Sequence, residues 1–132
     1  YMVFTDEVAA EIFLGGLHDA KLDVRVIPEY CNVIALGMET AAKLRSSGLQ
    51  SQMIDSATQG EGALLMQMPK SLLERRVVFV ESVASKRELQ RDLRVRGAMV
   101  TPIPVYERLF VDSEVDRLEK ALSSGGVDMV LV

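Results

Sequence analysis

The stretch VIALGMETAAKLRSSG, residues 33–48, decides the fold. It opens on four apolar residues, Val33, Ile34, Ala35 and Leu36, the signature of a strand covered on both faces. Gly37 breaks the run where a strand must turn sharply into a helix. Glu39 and Thr40 follow at a helix start, where a carboxylate or hydroxyl can meet free backbone N–H groups. Ala41, Ala42 and Leu44 favour helix, and Gly48 stands where a helix end wants a left-handed residue. Strand, glycine turn and helix N-terminus together make an anion cradle at the carboxyl end of a sheet. The bland reading of the same stretch is α/β architecture and nothing more.

The pattern repeats outward. Tyr1 to Thr5 reads as a strand, with Thr5 or Asp6 capping a helix from Glu7 to Leu17. Val8, Ile12, Ala9, Phe13 and Leu17 form its apolar stripe. Residues 19–31 form a connector, and Leu49 to Ile54 a short strand. SATQGEG, residues 56–62, reads as a polar turn before a helix carrying Leu64, Leu65 and Met68, stopped by Pro69. Val77 to Val80 reads as a second fully buried strand. A helix over Lys86–Arg96 presents Leu89 and Leu93 to the sheet and its arginines to solvent. Met99 to Tyr106 is a strand that Pro102 and Pro104 confine to an edge or a crossover. A helix over Asp112–Ser124 and a strand over Asp128–Val132 follow. Alternating strands and helices predict an α/β, flavodoxin-like three-layer sandwich with a mostly parallel sheet. Both ends of the chain read as sheet, so a fragment of a larger protein is expected.

Composition bounds the function. The chain is 48% hydrophobic and 26% charged, as packed domains are. Its net charge of −4 gives no basic excess to neutralise phosphates, so no nucleic-acid partner is expected. No apolar run approaches the roughly 20 residues of a membrane span. One cysteine, Cys31, excludes an internal disulfide and a multi-cysteine metal site. The lone His18 suits a helix C-terminus, and no metal is expected. Lys86 and Arg87, beside the turn after Val80, can either face solvent or meet a polycarboxylate ligand.

In order along the chain stand Phe4-Thr5-Asp6, Leu36-Gly37-Met38-Glu39-Thr40-Ala41, Arg87 to Leu93, Gly97 to Val100, and Val105-Tyr106. This ordered set resembles the uroporphyrinogen-III synthase family, the cosynthases of tetrapyrrole biosynthesis. The resemblance implies two similar α/β lobes, one inserted in the other. This chain is then one lobe, residues 1–108, with residues 109–132 leading toward the other. It implies a lyase that closes the linear tetrapyrrole hydroxymethylbilane into uroporphyrinogen III, losing water and inverting the last ring. It implies no cofactor, a cytoplasmic location, and a monomer when full length. Tyr106 falls on the family's linker tyrosine, a proton or hydrogen-bond donor, or else a half-buried aromatic at a junction. Thr5, Gly37, Thr40, Ser82 and Lys86 are the implied substrate-binding residues, with Thr40 readable also as a helix cap. Asp6 replaces the family's serine, and Ser82-Val83 stand where the family has a turn glycine. A single lobe is expected to be inactive. The alternative reading is a non-enzymatic flavodoxin-like or receiver-like binding domain, with Asp6 as the only acceptor.

Overall fold

A computed structural model describes residues 1–60, 62–108 and residue 120. Its element order is β1 (Met2–Phe4), α1 (Glu7–Asp19), β2 (Val33–Leu36), α2 (Met38–Ser46), β3 (Gln52–Ile54), α3 (Ser56–Gln59), α4 (Gly62–Gln67), β4 (Arg76–Ser82), α5 (Glu88–Val95) and β5 (Met99–Tyr106). The five strands make one sheet in the order β3-β2-β1-β4-β5, and every pairing is parallel. The short central strand β1 pairs Val3 with Ile34 on one side and with Phe79 on the other. The α/β class and the parallel sheet stand as expected. Among the described residues the strand order is 3-2-1-4-5.

Side chains alternate across the sheet with the period of two that strands impose. Val3, Ile34, Leu36, Val77 and Phe79 meet Leu64, Met68, Leu89 and Leu93 of α4, its C-terminal turn and α5. Phe4, Val33, Ala35 and Val80 meet Ala9, Ala10, Ala41 and Leu44 of α1 and α2. Two cores on two faces make three layers. Burial on both faces is why VIAL and VVFV read as unbroken apolar runs.

Several local expectations are corrected. In α1 the small pair Ala9 and Ala10 lies against the sheet, while Val8 and Ile12 are exposed. The connector 19–31 holds a single 3₁₀ turn, Val24–Val26, capped by Asp23. SATQ is not an open turn but the helix α3, because Asp55 accepts from the Thr58 N–H and hydroxyl at 3.3 and 2.6 Å. Gly60, at φ 72°, ends it. The helix expected over 86–96 begins at Glu88, leaving Lys86 and Arg87 in the preceding turn. Arg96 is not a solvated arginine: its guanidinium donates to the carbonyls of Leu65, Met68 and Pro69 at the end of α4. The methionine pair splits, Met68 buried and Met66 exposed. Among the described residues β5 is an edge strand, as expected, where Pro102 and Pro104 cost no ladder bond. Gly97, at φ 97°, sits so close to Leu73 that an added Cβ would stand 2.8 Å from its Cδ2. The expected helix over Asp112–Ser124 and strand over Asp128–Val132 lie outside the described residues.

Candidate functional site

In a sheet of this order the chain leaves β1 toward β2 on one side and reaches β4 on the other. The carboxyl ends of β1 and β4 therefore part, and loops there border a crevice. A cleft of about 300 Å³ opens at this place. Thr5 and Asp6 line it from β1, Leu36 from β2, Ser56 from α3, and Phe79 and Glu81 from β4. Ala84, Ser85 and Lys86 of the next turn and Leu89 of α5 complete it.

Asp6 is fixed by its work as the α1 cap. Its Oδ1 accepts from the Ala9 N–H at 2.8 Å, and its Oδ2 from the Thr5 hydroxyl at 3.2 Å. Thr5 also reaches the Val80 carbonyl at 3.3 Å, tying β1 to β4. Ser82 accepts from the Ala84 N–H at 3.2 Å and so shapes the turn that carries Lys86. That turn is joined to β5, where the Val83 N–H donates to the Tyr106 carbonyl at 2.8 Å. Burial, then the hydrogen bond and charge of Asp6, pushes the Tyr106 phenol above its usual range, and Arg108 pulls the other way. Tyr106 thus keeps its proton at neutral pH.

Of the residues that the sequence picks out, Thr5 and Lys86 line the cleft; Ser82 and Tyr106 do not line it, but they pair across β4 and β5, and Tyr106 interacts with Asp6, which does. Gly37 and Thr40 do not line it. Gly37 is the N-cap of α2, at φ 97°, and no side chain caps that helix. Thr40 is not a cap. It is buried, and its hydroxyl donates backwards to the Leu36 carbonyl at 2.8 Å. The first-turn N–H groups of α2 consequently have no side-chain acceptor, and the carboxylate of Glu39 stands near that end.

Sequence reasoning missed Glu81. This carboxylate is only 4% exposed, at the very end of β4. The Gln90 amide of α5 donates to both of its oxygens at 2.8 Å. Burial pushes its carboxyl above the ordinary carboxylate range, against the Gln90 hydrogen bond and the Arg87 charge. The available signal was its place directly after the apolar run VVFV. A residue there is still strand, and sits at the sheet's carboxyl edge.

Among the described residues no group of three or more histidine, cysteine or acidic side chains could hold a metal ion, and no helix is long and apolar enough to cross a membrane.

Comparison with known proteins gives the frame. No curated protein is matched by the sequence. Three solved structures of Thermus thermophilus uroporphyrinogen III synthase are similar. The first is 24% identical with a TM-score of 0.65, covering 96% of this chain and 49% of that one. A methionine-substituted mutant of the enzyme is 23% identical with a TM-score of 0.69 over the same shares. The wild-type enzyme in a second crystal form is 25% identical, with a TM-score of 0.65, and 48% of its chain is covered. This chain spans about half the length of the solved structures it matches. The family described as uroporphyrinogen-III synthase HemD matches residues 1–132, the whole of the sequence, and the chain belongs to that family.

Proposed function

We propose that this chain supplies one wall of a uroporphyrinogen-III synthase site, which cyclises hydroxymethylbilane with loss of water in tetrapyrrole biosynthesis. The observation that carries the reading is the cleft at the carboxyl ends of β1, β2 and β4, with Thr5, Asp6 and Lys86 on it. A cleft of 300 Å³ is at the lower end of drug-sized sites, about 300–1,000 Å³, and a linear four-ring substrate is larger than that class. The wall needs a partner. Residues 1–108 form one lobe, and a second lobe of the full-length protein faces it.

The chemistry asks little of the protein beyond placement. An electron-rich pyrrole ionises readily once its hydroxyl leaves as water. The protein must curl a flexible chain and hold its carboxylates, which turns an improbable conformation into the near-attack one. Thr5 supplies a contact at the end of β1, and Ser82 and Lys86 supply contacts on the β4 side. The uncapped N–H groups at Gly37–Thr40 supply the family's anion cradle on the β2 side, with Thr40 holding the turn through Leu36. Tyr106 is a hydrogen-bond donor to the substrate. The substrate is the small-molecule partner, no cofactor is used, and the full-length protein is a cytoplasmic monomer.

The test is turnover of hydroxymethylbilane by the full-length protein, with type III product separated from the type I isomer. Tyr106→Phe removes one donor and is expected to lower kcat/KM by up to about tenfold, as one neutral hydrogen bond does. Absence of type III product from the full-length protein contradicts the reading.

A further inference from the structure

Glu81 and Gln90 are a buried pair that the placement of substrate does not use. Gln90 is 1% exposed on the inner face of α5, where a leucine would pack more cheaply. Among the described residues its Oε1 has no partner, and an unmet buried acceptor is destabilising. Its own hydrogen bonding therefore does not explain its burial. What it does is hold Glu81, with its Nε2 2.8 Å from each carboxylate oxygen. No ion pair to Glu81 is formed among the described residues. The remaining open side of Glu81 is the cleft. The charged and titratable groups around it are Asp6 after β1, Lys86 and Arg87 in the turn after β4, and Tyr106 on β5. Asp6 opposes a second negative charge in the cleft, while the two cations favour one.

We propose that Glu81 is the acid of the cleft, a buried carboxyl oriented by Gln90 that hands its proton to the hydroxyl leaving the substrate. The inference rests on the cosynthase reading. With Glu81 neutral, its carbonyl oxygen accepts from Gln90 and its O–H is free to point into the cleft. The Glu81 O–H bond breaks as the proton passes to the hydroxyl oxygen of the substrate. The carbon–oxygen bond breaks with both electrons going to that oxygen, which leaves as water. The pyrrole nitrogen lone pair fills the vacancy on carbon. The cationic carbon is attacked by the last pyrrole at the α-carbon that already carries its link to the chain, forming one carbon–carbon bond. The older bond at that α-carbon then breaks, its electrons restoring the last pyrrole's ring and leaving a second cationic carbon on the neighbouring ring. The free α-carbon of the last ring bonds to that carbon, which closes the macrocycle with the ring inverted. The proton shed there as the pyrrole becomes aromatic again returns to the Glu81 carboxylate, so the residue ends as it began. Burial of the carboxyl favours its protonated form, the form a general acid needs. Gln90 is a positioning residue in this scheme.

The experiment compares the full-length wild-type protein with Glu81→Gln over a range of pH, reading type III product. The same samples are scanned by infrared spectroscopy for a protonated carboxyl. Glutamine keeps the shape and neutrality of the acid and its bond to Gln90, but has no proton to give. Glu81→Gln is expected to lower kcat about a hundredfold with little change in KM, the lower end of general acid catalysis. It is also expected to abolish the wild-type fall in rate at high pH and the protonated-carboxyl band. Turnover within about twofold of wild type with the same pH profile overturns the acid alone. So does a wild-type protein with no protonated carboxyl at neutral pH, a measurement that stands even if the variant fails to fold. Wild-type protein without turnover overturns the cosynthase reading, and the acid with it.

Discussion

Residues 1–132 assayed on their own are expected to give no type III product from hydroxymethylbilane. This is the largest effect the account predicts, and it follows from size and geometry. The cleft at the carboxyl ends of β1, β2 and β4 holds only about 300 Å³. The proteins that share this fold are about twice as long, with this chain covering 48–49% of them. Ring closure must bring the two ends of a flexible chain together, and effective molarities of about 10⁵–10⁸ M come only from a substrate held at both ends. One wall holds too little of it. Thermus thermophilus uroporphyrinogen III synthase, assayed beside it, serves as the positive control. Measurable type III product from residues 1–132 would defeat the two-walled site.

The second large effect is on stability. Phe4→Ala is expected to destabilise the protein by about 3–5 kcal/mol, the usual cost of emptying a buried aromatic site. Phe4 is completely buried on the central strand, between β2 and β4. Its ring meets Phe13 of α1 edge to face, with centroids 5.3 Å apart and planes at 73°. Alanine would leave a void that β1, paired on both sides, cannot collapse to fill. A domain is stable by only about 5–15 kcal/mol, so one substitution removes a large share. Urea unfolding should show a lower midpoint with an unchanged slope. A loss below about 1 kcal/mol would mean that β1 is not the packed centre of the sheet. Because Thr5 and Asp6 follow Phe4 directly, the cleft rests on this packing.

Much of this was readable in the residues, for physical reasons that differ by element. VIAL and VVFV could be read as strands because a parallel strand buried on both faces has no polar positions. Leu89 and Leu93 could be placed because four-residue spacing puts both on one helical face. Gly37, Gly48 and Gly97 marked turns because all three take positive φ. Strand order was not legible. Whether β1 stands between β2 and β4 depends on contacts about 30 and 75 residues apart in sequence, which local pattern does not encode. Thr40 looked like a cap because threonine commonly is one, yet its hydroxyl found the Leu36 carbonyl one turn back. Glu81 drew no notice in the sequence because an acid just past an apolar run usually faces solvent. Only the fold shows that Gln90 lies above it and removes it from water.

The central claim is that the carboxyl ends of β1 and β4 form a wall of the tetrapyrrole site. Backbone amide shifts of the full-length protein, titrated with uroporphyrinogen III, test it most directly. The account predicts the largest shifts at Thr5, Asp6 and Ser82 through Lys86, with none at Asn32, Gln50 or Arg75 at the opposite end of the sheet. Shifts confined to that opposite end, or no shifts at the cleft with saturating product, would contradict it.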